Sequence, residues 1–189
     1  MWTSGSDSSR ENLAFVQRRV ALFGLASALL GGTFLVFVVV VAIAERNYDE
    51  FMQPAFYYHS LAVALGFSTW LACRRGARSV RFIHGAEAVA IVGVSVAYQL
   101  MGWYIPLRER PEMIVLMAIT YSFMARSAYV PSSARRTLFL SVGIGVPLVI
   151  GTFVAYLGVD EAVVRALRPD GPIPTPRQVA FRLALFTAV

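Results

Sequence analysis

Few residues in this chain have side chains able to do chemistry, and the most conspicuous stands in apolar surroundings. Glu87 is the only acid inside an apolar block, FIHGAEAVAIVGVSVAYQLMGW at 82–103. An ionisable group at membrane depth is costly and by default functional. His84 precedes it by three residues, so the two share one helix face. The pair supports two readings. One is an interfacial ion pair that orients the helix, with Arg78 or Arg81 within reach. The other is a proton-sensing or ligand-contacting group. The second histidine, His59, lies just inside the opposite end of its own block. At 1.5 Å per residue the two histidines differ in depth by roughly 20 Å, too far to share a haem or a metal. Both read as interfacial, polar-tipped side chains, and no cofactor is expected. Cys73 is the single cysteine, which leaves no disulfide framework and no thiolate metal site.

The absences narrow the chemistry further. There is no GxGxxG, no GxxxxGK[ST], no HExxH and no GxSxG. All 17 basic residues are arginine. Without a lysine, these residues cannot by themselves perform the lysine-dependent ATP chemistry of a kinase. The catalytic residues are therefore expected to be none, and the candidates for sensing or packing are His84, Glu87 and Pro147.

The elements that position these residues follow from composition. The 189 residues are 57% hydrophobic, against about 45–50% apolar in soluble domains. The excess falls in blocks long enough to cross a bilayer, which takes about 20 apolar residues. The expected fold is all-α, an integral membrane helical bundle of five complete transmembrane helices and a truncated sixth. The helices are predicted at 20–44, 56–73, 82–103, 113–130, 138–157 and, incomplete, 179–189. Residues 1–19 form a separate N-terminal segment, and its first ten residues, MWTSGSDSSR, are expected to be disordered. The first block is too long for a signal-peptide core, although Arg18-Arg19 and Ala42-Ile43-Ala44 mimic its flanks. Arg126 interrupts the fourth block near its end, where a long arginine snorkels to the interface. The loop 158–177 is predicted to hold one short helix, in DEAVVRALR, followed by turns. The closing VAFRLALFTAV reads as the start of a membrane helix. Ten residues give only about 15 Å, half the hydrocarbon thickness.

The arginines alternate between loops. Arg10, Arg18 and Arg19 precede the first block; Arg74, Arg75, Arg78 and Arg81 follow the second; Arg126, Arg135 and Arg136 close the fourth. The intervening loops are acidic or mixed, with Glu45, Arg46, Asp49 and Glu50, then Arg108, Glu109, Arg110 and Glu112. The positive-inside rule then puts the N-terminus in the cytoplasm. A net charge of +6 placed in short loops points to lipid headgroups rather than nucleic acid. The partner is the bilayer, and the sequence does not identify a ligand.

Packing signals are of the ordinary membrane kind. Gly24, Ala28 and Gly32 recur at four-residue spacing, as do Gly143, Pro147 and Gly151. Such faces let helices approach closely, within the bundle or across a homodimer. Pro147 frees a backbone carbonyl in mid-helix and is expected to bend the fifth helix. Phe56, Tyr57, Tyr58, Trp103, Tyr104 and Tyr129 fall at block ends as an aromatic belt.

Two stretches, SRENLAFVQRRVALFG (9–24) and YVPSSARRTLFLS (129–141), resemble the N-terminal membrane region of large transmembrane serine/threonine protein kinases of myxobacteria and their relatives. RRGARSVR (74–81) and LMGW (100–103) fit the same pattern. The resemblance implies several membrane helices preceding a cytoplasmic kinase domain in a bacterial inner membrane. That family's Gly-rich loop, catalytic lysine, HRD and DFG motifs have no counterpart here, so no catalytic residue carries over. The resemblance thus implies a signal-transducing anchor or sensor region, a fragment whose output domain is missing. The alternatives are a self-contained small transporter or membrane assembly protein, or the sensor region of a nucleotide cyclase.

Overall fold

The computed structural model describes residues 4–106, 111–131 and 133–157 and the single positions 175, 178 and 181. The described residues form five α-helices and one short 3-10 turn, with no strand among them. The order is α1 Ser4–Ala44, the turn Tyr48–Met52, α2 Pro54–Cys73, α3 Val80–Gly102, α4 Pro111–Tyr129 and α5 Ala134–Leu157. The all-α class is as expected. Three of the helices, over Glu11–Ala44, Val80–Gly102 and Ala134–Val154, are long and apolar enough to cross a membrane. That is fewer than the five spans expected. The shortfall falls on α2 and α4, whose sequences carry His59, Ser60, Ser68 and Thr69, and Glu112, Thr120, Ser122, Arg126 and Ser127. The expected sixth helix at 179–189 lies outside the described residues except for Phe181, as does nearly all of 158–177.

The N-terminus departs from expectation. Instead of disorder over the first ten residues, α1 is helical from Ser4 and runs 41 residues, about 60 Å at 1.5 Å per residue. The physical reason is cooperativity. The apolar stretch beyond Val20 supplies the costly nucleus, and each further residue then adds one hydrogen bond.

Helix ends match their local chemistry. Pro54 opens α2 at a position whose N–H needs no partner. The Ser79 hydroxyl caps α3 by accepting from the Phe82 N–H at 3.3 Å. α1 closes with Asn47 N donating to Ala42 O at 2.9 Å and Arg46 in the left-handed region at φ 56°, the geometry of a Schellman ending.

The helices run up and down. α1 packs mainly on α2, α2 on α3, and α3 on both α4 and α5. The ends of the bundle therefore differ in charge. Segments 17–19, 73–87 and 126–137 meet at one end and together carry nine arginines and one acid, Glu87. Gln17 bonds to loop 73–78, Arg19 to the Ala128 carbonyl, and Arg136 to the His84 carbonyl. The opposite end carries the turn Tyr48–Met52 and the Trp103–Tyr104 corner, where Tyr58 stacks on Tyr104 with ring centroids 5.7 Å apart.

The α1–α2 seam depends on missing side chains. A methyl group at Gly24 would lie 2.8 Å from both Gly66 O and Trp70 N, and one at Gly66 would lie 3.0 Å from Ala28 N. Gly24 and Ala28 are thus used inside the bundle, so the first small-residue stripe is a packing face. The second is mostly open: Gly143 and Pro147 are exposed and no described residue lies within 4 Å of a Cβ built at Gly143, while one at Gly151 would meet the Trp103 ring at 3.7 Å. α5 runs unbroken through Pro147. Gln99 Nε2 donates at 3.4 Å to Ile144 O, one residue from the carbonyl the proline leaves free.

Of the three helices apolar enough to cross a membrane, the two most apolar are also the most exposed. α1 turns Leu29, Phe34, Phe37 and Val40 outward, and α5 turns Leu138, Phe139, Val142 and Ile150 outward. Soluble monomers do not expose apolar surface on this scale; a hydrocarbon solvent accepts it. The core lies inside α3, with Ile83, Ala90 and Ile91 against Val20, Phe23, Ile119, Ile144 and Leu148.

Candidate functional site

Glu87 lies on the buried face of α3, in the stripe Ile83–Glu87–Ala90–Ile91–Val94. Its side chain is 0% exposed. Arg126 reaches it from α4, where the buried face runs Val115, Ile119, Ser122 and Arg126. Arg126 Nε donates to Glu87 Oε1 at 2.8 Å and Nη2 lies 2.8 Å from the same oxygen. The arginine side chain is 1% exposed. It turns into the bundle and does not snorkel, because a partnerless Glu87 would be far costlier than the arginine's own burial. Arg126 Nη1 also reaches Thr137 Oγ1 of α5 at 3.4 Å.

A second arginine comes from the first turn of α5. Arg136 Nη2 lies 2.6 Å from Glu87 Oε2. That contact is an ion pair without hydrogen-bond alignment, and the same nitrogen also donates to the His84 carbonyl oxygen at 3.1 Å. Arg136 Nη1 contacts His84 Nδ1. His84 Nδ1 is also 3.8 Å from Glu87 Oε2.

The cluster thus joins α3, α4 and α5 through one carboxylate. It is graded from closed to open, with Arg136 at 24% and His84 at 45% exposure forming its mouth at the arginine-rich end. Two guanidiniums on one carboxylate leave an excess of one positive charge. Breaking such a buried pair by removing one partner costs about 3–5 kcal/mol.

Of the residues singled out by sequence, His84 and Glu87 come together as expected. Arg78 and Arg81 do not reach Glu87. Arg78 instead donates from Nε to the Ala72 carbonyl at 3.1 Å and lies over the Phe82 ring, because it belongs to a loop that folds back on the end of α2. Pro147 lies well along α5 from Arg136, with its side chain exposed, and takes no part. His59 is not an interfacial tip. Its Nε2 lies 3.0 Å from Gly31 O, and its ring meets Tyr98 edge-on at 5.7 Å. No group of three metal-ligating side chains occurs among the described residues.

Sequence reasoning missed Arg126, Arg136 and Gln17 as organising residues. The signal for Arg126 was its phase, four residues after Ser122 on the buried face. Gln17 lies in phase with Val20, Ala21 and Gly24. Its Nε2 donates to Cys73 O at 2.9 Å and to Gly76 O at 2.6 Å, and its Oε1 accepts from Arg78 N at 3.0 Å. One buried amide thereby fastens the α2–α3 loop to α1.

Comparison with protein-family models, with curated proteins and with solved structures finds no match.

Proposed function

We propose that this chain is a membrane anchor and sensor bundle, the input region of a receptor-type serine/threonine protein kinase. The observation that carries the sensor part is the Glu87–Arg126–Arg136–His84 cluster. It ties three helices together through one buried carboxylate and opens at its His84 side. An anchor alone needs apolar helices; it does not need a buried ion network. The kinase part rests on the resemblance. Its distinctive segments, 9–24, 74–81 and 129–141, fall at the arginine-rich end. By the positive-inside rule that end faces the cytoplasm, where a kinase domain would sit. All five helices then span or nearly span a bacterial inner membrane.

In this reading, a stimulus that moves Arg136 away from Glu87 and His84 shifts α5 relative to α3. A stimulus acts only through a difference in its interaction with the two arrangements. Small-residue homodimerisation is confined to the exposed α5 face, because the α1 stripe is consumed by α2. Sequencing the native gene beyond codon 189 tests the kinase part. A frame continuing into a Gly-rich loop and a lysine-bearing strand supports it, and a stop codon overturns it for this product. In the full-length protein, Glu87→Gln is expected to change autophosphorylation without changing membrane insertion. Unchanged output would overturn the sensor role.

A further inference from the structure

We propose that the arginine-rich end is a binding site for anionic phospholipid headgroups, built on the α2–α3 loop and presenting Arg74, Arg75 and Arg81 to lipid phosphates. The inference rests on the chain being a membrane protein and not on the identity of any output domain.

The first observation is unspent charge. The only acid in the segments that meet at this end is Glu87, and Arg126 and Arg136 already saturate it. Arg75 and Arg81 are exposed and make no hydrogen bond or ion pair among the described residues. No acid among the described residues supplies their counter-charge.

The second is rigidity. The loop is short, and Gln17 holds it with three hydrogen bonds, two donated and one accepted. Gly76 turns it at φ 73°, where nothing lies within 4 Å of a Cβ position. The arginines are therefore displayed from a fixed backbone, and less entropy is lost on capturing a phosphate.

The third is depth. Arg74 lies over the Trp70 ring at 4.5 Å, Arg78 over Phe82 at 5.2 Å and Arg135 over Phe139 at 5.6 Å. Three helices repeat one arrangement, with the ring one turn into the apolar span and the guanidinium outside it. The rings sit in the interfacial layer that aromatic residues favour. The guanidiniums therefore stand at the level of lipid phosphates. A soluble acidic partner would engage the arginines without any need for rings beneath them. Each guanidinium offers a donor fork that matches phosphate oxygens.

The test is lipid retention by the purified full chain. In detergent, the protein is titrated with phosphatidylglycerol or phosphatidylcholine, and bound lipid is counted by native mass spectrometry. Wild type is expected to retain phosphatidylglycerol selectively. The triple variant Arg74→Gln, Arg75→Gln, Arg81→Gln is expected to lose that affinity by on the order of 100-fold. The variant leaves Arg78, Gln17 and the Glu87 cluster intact, and its melting temperature in phosphatidylcholine should match wild type. Equal retention of the two lipids, or undiminished selectivity in the variant, overturns the proposal. So does displacement of phosphatidylglycerol by millimolar inorganic phosphate, which would mark a site for free phosphate. Alkali-resistant insertion into phosphatidylcholine vesicles separately tests the membrane reading.

Discussion

The α1–α2 seam and the α3–α4–α5 junction solve the same problem in opposite ways. At the seam, Gly24 and Gly66 remove side chains so that two backbones touch. At the junction, Glu87 and Arg126 bring full charges into the bundle and cancel them there. Lipid drives helices together only weakly, so contact must come from packing or polar pairing. The seam holds by many small dispersion contacts, each of about 0.1–0.2 kcal/mol. The junction concentrates its energy in a few atoms. A seam of the first kind has one good arrangement. In the junction's cluster only Arg136 and His84 border solvent, at 24% and 45% exposure.

Three substitutions probe this contrast, from the largest expected effect to the smallest. Arg126→Leu strands Glu87 with only the partly exposed Arg136. It should destabilise the bundle by about 3–5 kcal/mol, read as a loss of unfolding free energy in mixed micelles. Gly24→Ala should cost about 1–3 kcal/mol by overpacking, despite the roughly 1 kcal/mol of helix propensity an alanine gains, because the atoms it meets are α2 backbone. Gly143→Ala, the same change on the open face of α5, should stabilise by about 0.5–1 kcal/mol. A destabilisation there that depends on protein concentration would show that α5 packs on a second copy.

How much of this was legible in the sequence follows the same division. The α1 side of the seam was readable as a close-packing face, because small residues at four-residue spacing are a local pattern; that Gly66 of α2 is its partner was not. Helices appeared where the first five apolar blocks predicted them, since block length and solvent select for helix. The N-terminal ten residues misled, because composition argues for disorder while an adjoining helix extends at little cost. The junction was half legible. His84 and Glu87 share a turn, so spacing joined them. Arg126 lies 39 positions beyond Glu87, and only tertiary packing places it opposite. Its helix phase pointed inward, whereas its nearness to a block end argued for the interface. Burial prevailed because an unpaired carboxylate at that depth is the costlier outcome. His59 was misplaced for a related reason: its position near a helix end concealed that α1 passes beside it with a bare glycine at residue 31.

The most direct test of the account is a double-mutant cycle on Glu87→Leu and Arg126→Leu, measured as unfolding free energy of the purified chain in mixed micelles. If one buried ion pair knits α3 to α4, each single variant is strongly destabilised and the double variant is more stable than either. The coupling should then exceed the cost of either single variant, at least about 3 kcal/mol. Effects that add to within about 0.5 kcal/mol would contradict the account and leave the two residues as independent members of their helices.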